Sequence, residues 1–208
     1  MSSLAQNVRR TPIGTVYGAD MPHLPLLSGK NGAVMVHDRS GQDRFGIKGR
    51  RAFDWLVAEG YAPPDQVNTM RRHVRGVDIM RLGNEDFLIV GSDDADRSVL
   101  DGLRAHWLES KVERKGHNAY RDEVWGWFHL CGRDVVAFMA QTCPVDLNGN
   151  VFAVNAVAQT RVAQMDCVLV RSDRTGLCGF DVFFDVASTA FLYQSLAVLL
   201  DENDNILI

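Results

Sequence analysis

The chain has 208 residues, of which 46% are hydrophobic and 23% are charged, and its net charge is −4. This composition excludes a disordered chain, and the small negative charge disfavours binding to nucleic acid or to an anionic membrane. No apolar run reaches the ~18 residues that span a bilayer, and the N-terminus lacks the apolar core of a signal peptide, so we expect a cytoplasmic protein.

The first part of the chain alternates strand and helix patterns. Residues 1–30 show little periodicity and are predicted to form an irregular arm. Residues 31–108 are predicted to form a first α+β half, with strands at 33–37, 44–48, 77–82 and 87–90 and helices at 51–59 and from Ser92-Asp93-Asp94 to about Trp107. In the first helix, Phe53, Leu56 and Val57 are expected to face the core. In the second helix, the residues expected to face the core are Ala95, Val99, Leu103 and Trp107.

The same order of elements recurs after a charged connector at 109–122. Residues 123–208 are predicted to form a second half, with strands at 124–130, 160–162, 167–170 and 180–185 and helices at 133–142 and 187–200. Gly49 and Gly132 occupy equivalent points in the two halves. The pattern therefore predicts an α+β fold of two β-α-β-β-α half-repeats, with antiparallel sheets and helices on one face.

Motifs that carry chemistry are scarce in this sequence. It has no glycine-rich nucleotide motif, no HExxH and no GxSxG, and no two of its six histidines have the spacing of a helix-borne metal pair. His37 and Asp38 are adjacent on a predicted strand, where neighbours point in opposite directions, so they are not expected to act together. Without a CxxC pair, the four cysteines are expected to be free and mainly buried. We predict no catalytic, cofactor-binding or metal-binding residue.

The strand at 124–130 is apolar on both faces. Alternation puts Trp125, Trp127 and His129 on one face and Phe128 and Leu130 on the other. A strand of this kind is either central in a sheet or covered on one face by a partner. Both interpretations stay open, and Trp125, Trp127 and His129 are the candidate interface residues.

Three segments of the chain resemble the glycine-cleavage T-protein superfamily. HDRSGQDRFGIKGRRAFDWL (37–56) looks like the opening of that fold, VDIMRLGNEDFLIVGSDD (77–94) resembles its first long hairpin, and FHLCGRDVVAFMAQTCPVDL (128–147) is similar to its second glycine-plus-helix segment. The resemblance implies the fold of that family's folate-binding domain.

Within this superfamily, the chain resembles most the gamma subunits of heterotetrameric sarcosine oxidase and of N-methylglutamate dehydrogenase. CPVDL followed by AQTR, within 143–173, is the most specific match, and the resemblance covers about 33–200. It implies a non-catalytic assembly role in a flavin-dependent oxidoreductase complex with alpha, beta and delta subunits. That complex would demethylate an N-methyl amino acid oxidatively, pass the one-carbon unit to tetrahydrofolate, and hold FAD, FMN, NAD and zinc outside this chain.

The stretch RSDRTGLCGFDV (171–182) resembles the RTGYTGEDGYEL loop of the catalytic T-proteins. Arg174 stands at the family's tyrosine, Leu177 at its pterin-binding glutamate and Cys178 at the aspartate that follows. Leucine cannot accept hydrogen bonds from a pterin, at a cost of about 1–3 kcal/mol. The family's other acidic pair is replaced by Arg75 and Gly76, and Asp78 is displaced and expected to point elsewhere. The resemblance thus implies a degenerate folate site.

Two alternatives share this superfamily. One is a free-standing aminomethyltransferase-like protein that binds tetrahydrofolate, although the chain is short for it and both acidic positions are altered. The other is a folate-binding iron–sulfur assembly protein, whose KGCYxGQE thiol motif is echoed only faintly by TGLCGFD (175–181). A cysteine in a hairpin is reactive only beside a cation, and Arg171 and Arg174 keep the reactivity of Cys178 open.

Overall fold

A computed structural model describes residues 11, 13, 26–91, 97–110, 117–119 and 121–206. Two antiparallel sheets lie against each other, and helices cover the outer face of each. Among the helices described, none combines the length and hydrophobicity that a bilayer crossing requires. The predicted helix start at 92–94 and nearly all of the N-terminal arm fall outside the described residues.

The larger sheet has six strands, all paired antiparallel with their neighbours. In spatial order these are β1 (Leu27–Ser28), β2 (Met35–Asp38), β8 (Trp125–Cys131), β11 (Gly179–Asp185), β10 (Met165–Arg171) and β9 (Val157–Val162). β8 and β11 are central, so they are covered on both faces and read as almost continuous hydrophobic runs.

The smaller sheet has five antiparallel strands. Their spatial order is β4 (Thr69–His73), β5 (Val77–Gly83), β6 (Asp86–Gly91), β3 (Arg44–Lys48) and β7 (His117–Asn118). The edge strand β4 carries the sequence TMRRH, and charged edge strands protect a sheet from pairing with other chains.

The described residues include five α-helices with defined bounds: α1 (Ala52–Ala58), α2 (Arg97–Glu109), α3 (Arg121–Val124), α4 (Val135–Met139) and α5 (Thr189–Ile206). Residues of α1 and α2 form one apolar core with the smaller sheet, in which Trp55 and Trp107 meet edge to face at 4.8 Å. Residues of α4 and α5 form a second core with the larger sheet.

A third apolar cluster fills the space between the two sheets. It contains strand residues that alternate with those of the outer cores: Met70, Met80, Leu82, Leu88, Val90, Trp127, Val157, Val168, Val170 and Phe183. Each sheet therefore buries one face under helices and the other against its partner sheet. The prediction of antiparallel sheets with helices on one face of each is confirmed, and the opposite face proves to be a sheet-to-sheet contact.

Sheet membership departs from the predicted boundaries at two places. β1 and β2 precede the first half's other strands in sequence, but they extend the larger sheet, where β2 pairs with β8. β7, inside the predicted connector, extends the smaller sheet through β3. The division into half-repeats stays a prediction, and the structure adds that strands cross between the two parts.

Two further details differ from the sequence expectations. The buried face of α1 consists of Ala52, Trp55 and Leu56, whereas Val57, expected to face the core, is half exposed. The rotation follows from Trp55, whose large ring packs on Trp107 and displaces the smaller Val57 to the surface. In the second helix Leu103 and Trp107 are buried as expected, while Ala95 lies outside the described residues.

The turn at Gly132 requires glycine. Its φ is +136°, and a Cβ there would lie 2.3 Å from the carbonyl oxygen of Ala33. Gly49 adopts nearly the same conformation, with φ at +130°. Each glycine directly follows a strand and precedes a helix, so a side chain at either position would strain the strand-to-helix connection.

Candidate functional site

The turn between β10 and β11 is held in shape by Asp173. Its Oδ1 accepts hydrogen bonds from Arg171 Nε at 2.8 Å and from the Gly179 amide at 3.1 Å, and its carbonyl accepts one from the Gly176 amide at 3.0 Å. Gly176 has a φ of +77°, in the left-handed region. These contacts fix the direction in which the next side chain, that of Arg174, leaves the turn.

Arg174 turns inward and bridges the two sheets. Its side chain is only 2% exposed, and its Nη2 lies 2.7 Å from Asp181 Oδ2 on the larger sheet and 3.3 Å from Asp78 Oδ2 on the smaller one. The guanidinium also stacks over the ring of Trp127, 5.0 Å from the centroid. Arg174 is thus an internal cation between the sheets.

Asp181 is the most contacted anion of this group. Its Oδ1 accepts hydrogen bonds from Trp127 Nε1 and from His129 Nδ1, both at 2.9 Å. Burial alone would favour the neutral acid, but the charge of Arg174 and the hydrogen bond from His129 hold the pKa of Asp181 well below its usual range. Asp181 is therefore ionised at neutral pH.

Two further arginines surround the carboxylates. Arg72 donates to Asp78 at 3.1 Å from the edge of the smaller sheet. The guanidinium of Arg39 lies 5.0 Å from the Trp127 ring centroid, and burial together with the charge of Arg174 lowers the pKa of Arg39 to about 10. Both buried carboxylates are therefore already paired with cations of this chain.

The folate-loop residues singled out from the sequence separate in the structure. Arg174 is buried, whereas the side chain of Leu177 is 43% exposed at the tip of the turn and Cys178 is partly buried against the α4–α5 core. Burial raises the pKa of the Cys178 thiol, although Arg171 acts in the opposite direction. The expectation that Asp78 points elsewhere is wrong, because its carboxylate meets Arg174 beneath this turn.

The candidate interface residues also differ from one another in burial. Trp127 and His129 have no exposed surface in this chain, since the smaller sheet and the Arg174 network cover them. The core-packing interpretation therefore holds for these two. Trp125 is half-buried and lines a crevice of about 580 Å³, together with Phe183, Gln159 and the Arg161–Asp166 ion pair. Its role as a partner surface stays a prediction.

Sequence reasoning missed two members of this site. Asp181 was given no role, and Cys131 was expected only to be one of four free, mainly buried cysteines. The signal for Asp181 was an acidic residue in the middle of the hydrophobic run GFDVFF (179–184), because an isolated carboxylate in a central strand needs a buried partner.

All four cysteines are free, as expected, and three of them are buried. No cluster of metal-binding side chains occurs in the described part of the chain.

Among known proteins, this chain matches solved structures but no family model and no curated sequence. The chain is similar to a chain of the heterotetrameric sarcosine oxidase from Corynebacterium sp. U-96, determined in complex with pyrrole 2-carboxylate, with a TM-score of 0.72 and 20% identity over 94% of this chain and 96% of that one. The predicted resemblance is thereby confirmed at the level of the fold: this chain folds like a chain of a heterotetrameric sarcosine oxidase.

Proposed function

We propose that this chain is a non-catalytic, gamma-type subunit of a sarcosine-oxidase-like complex. The observation that carries the proposal is the extent of the structural match, which spans nearly the whole of both chains. The counterpart is therefore a chain of about the same length within a heterotetramer, rather than one domain of a much larger subunit. A short chain without a cofactor motif is suited to an assembly role.

The filled space below the 171–182 loop supports a non-catalytic role. Arg174 occupies the position between the sheets, and its charge is paired with Asp78 and Asp181. At the tip of the turn, Leu177 offers no carboxylate to a pterin. A folate would have to displace a buried ion pair, and breaking such a pair costs about 3–5 kcal/mol.

In this proposal the chemistry belongs to the other subunits. The complex oxidises the N-methyl group of sarcosine or N-methylglutamate and passes the one-carbon unit to tetrahydrofolate. The alpha, beta and delta subunits would hold the FAD, FMN, NAD and zinc, and the assembly would work in the cytoplasm. This chain would stabilise the assembly by packing against alpha and beta.

Trp125 is the candidate contact of the described surface. It borders the crevice at the open edge of the sheet-to-sheet layer, where Arg121 stacks on its ring at 4.8 Å and Phe183 lies 6.4 Å away. An aromatic residue held by a cation and a second ring is a pre-ordered anchor, and anchors of this type concentrate binding energy at interfaces.

Co-purification tests the assembly role. The chain, tagged and expressed in its own cells, is expected to purify with three further polypeptides and with flavin absorbance. Trp125→Ala should reduce the recovery of the partners, while Val74→Ala, at a side chain 98% exposed in the β4–β5 turn, should leave it unchanged. If the unmodified chain and Val74→Ala both purify as flavin-free monomers, the proposal is contradicted.

Calorimetry with tetrahydrofolate separates this role from that of a free-standing folate carrier. Because Arg174 fills the space between the sheets, the isolated chain should release no heat of binding at micromolar concentrations. A dissociation constant in that range would support the aminomethyltransferase-like alternative instead.

A further inference from the structure

Three neighbouring strands bring ionisable side chains together at one end of the larger sheet. In the strand register, His129 on β8 lies opposite both His37 on β2 and Asp181 on β11, and Cys131 lies opposite Gly179. The rings of the two histidines are 6.3 Å apart. This group lies beneath the 172–178 turn and has no part in the proposed assembly role.

His129 is oriented by one nitrogen and unsatisfied at the other. Its Nδ1 lies 2.9 Å from Asp181 Oδ1, and because that carboxylate is ionised, Nδ1 carries the proton and donates it. Its Nε2 is buried and has no hydrogen-bond partner of normal geometry. A buried ring nitrogen without a hydrogen-bond partner destabilises the folded state. We therefore expect a neighbouring group with which Nε2 could exchange a proton.

Gly179 provides the space in which the ring of His129 lies. A Cβ on Gly179 would lie 2.8 Å from His129 Cε1 and 3.0 Å from Nε2. Any larger residue would push the imidazole away from its position beside β11. The glycine opposite Cys131 therefore leaves room for the imidazole ring of His129.

The thiol of Cys131 is the neighbour that His129 stabilises. Cys131 and His129 are two residues apart on β8 and share one face of that strand. Burial opposes ionisation of this thiol, but hydrogen bonding and charge from His129, with hydrogen bonding from His37 and Thr175, lower the pKa of Cys131 to about 6. The pKa of His129 is raised, because Asp181 and the Cys131 sulfur outweigh its burial. By contrast, burial raises the pKa of Cys167 to about 12.

A thiol, an imidazole and an orienting carboxylate in series form an activated nucleophile. We propose that Cys131 is a peroxide-sensitive thiolate site, in which His129 and Asp181 hold the sulfur for oxidation by hydrogen peroxide. His129 Nε2 takes the proton of the Cys131 thiol, and the thiolate attacks one peroxide oxygen. The O–O bond breaks, and the leaving hydroxide takes that proton from Nε2 to give water. The sulfur, oxidised by two electrons, becomes a sulfenic acid.

The burial of Cys131 restricts the reagent to a small, uncharged one. The residue has no exposed surface. Hydrogen peroxide is close to water in size and carries no charge that must be desolvated. Larger or charged electrophiles are expected to react slowly.

The cysteines of the unmodified chain serve as each other's controls. The purified full-length protein is treated with hydrogen peroxide at pH 5 to 9, quenched, and unfolded in dimedone, and the labelled cysteines are identified by mass spectrometry. At pH 7, Cys131 should be labelled at least about tenfold faster than the more exposed Cys178, because the thiolate is the reactive form. The Cys131 rate should rise with pH through an inflection near 6.

Variants test the dependence on the histidines. His129→Gln should slow labelling of Cys131 at least about tenfold by removing the proton donor. Because this change also alters a buried contact of Asp181, His37→Gln and Thr175→Val, at half-buried and exposed positions, provide milder tests and should each move the inflection to higher pH. Cys178→Ser should leave Cys131 labelling unchanged.

The proposal is overturned by any of three results. These are labelling of Cys178 before Cys131, a Cys131 that stays unlabelled across the pH range in the folded chain, and an inflection near the pKa of a free thiol that His37→Gln does not move. Each would show that the buried histidine serves packing alone.

Discussion

The layer between the sheets and the two helix-covered cores are built from the same strands but differ in chemistry. The outer cores are clusters of apolar side chains from the strands, the helices and the loops between them. Among the described residues, the buried charged and histidine side chains of the strands alternate with outer-core residues, so they face away from the helices; they are Arg44, Asp78, His129 and Asp181. The outer cores therefore stabilise the fold through apolar burial, and the middle layer is where ionic chemistry is confined.

Removal of the central carboxylate should have the largest effect. Asp181→Ala leaves Arg174 and His129 buried without their shared anion, and we expect a loss of about 3–5 kcal/mol in the free energy of unfolding, measured in urea. The matched control is Asp166→Ala, at an exposed ion pair with Arg161, which should cost less than about 1 kcal/mol. Equal losses would mean that the middle layer is no more sensitive to charge than the surface.

Adding a methyl group to the layer between the sheets should also lower the free energy of unfolding. Gly179→Ala would place a methyl group 2.8 Å from both His129 and the carbonyl oxygen of Ser172, and a loss of about 1–3 kcal/mol is expected in the same urea assay. A neutral result would show that the ring of His129 is free to move, contrary to the role of Gly179 in placing it.

Acid should destabilise the protein through Asp181. Because the pKa of this carboxyl is depressed in the folded state, its contribution is present above about pH 4, its usual range, and is lost as the pH falls below that value. The unfolding free energy should therefore fall by up to about 1.4 kcal/mol per pH unit more in the wild type than in Asp181→Asn. Parallel pH profiles for the two proteins would refute this assignment, and Asp166→Asn should retain the wild-type profile.

The smallest predicted effect lies in the outer helix layer. Gly102 lies within α2, and apart from the adjacent residues and the backbone of the helix itself, no atom lies within 4 Å of the position its Cβ would take. Gly102→Ala should therefore stabilise the protein by about 0.5–1 kcal/mol, through the lower conformational entropy of the unfolded chain, and raise its thermal midpoint. Destabilisation would indicate a contact that the helix makes only in an assembly.

Local patterns predicted most of the strands, because alternation and hydrophobic runs reflect burial directly. The strand 44–48 was located to the residue, and the β5–β6 hairpin to within one residue at each end. The edge strand β4 escaped because its sequence is polar and its pairing partner, not its composition, makes it a strand.

The site could be predicted only in part, since its pairings join distant parts of the chain. Arg174 was identified from its position in the loop, but its partner Asp78 is 96 residues away, on the other sheet. The partnership of Cys131 with His37 likewise depends on β2 crossing into the larger sheet, which no local pattern indicates. Long-range strand pairing decides such contacts, and local sequence patterns do not reveal it.

The crossing of β1, β2 and β7 between the sheets makes the two parts of the chain inseparable. If the peptide chain were cut in the 109–122 connector, the N-terminal fragment would carry away two strands of the larger sheet, and β8 would lose its neighbour β2. The exposed edge of a central hydrophobic strand is prone to aggregation. A nicked molecule should accordingly stay associated as one particle, and neither fragment should fold as an autonomous unit.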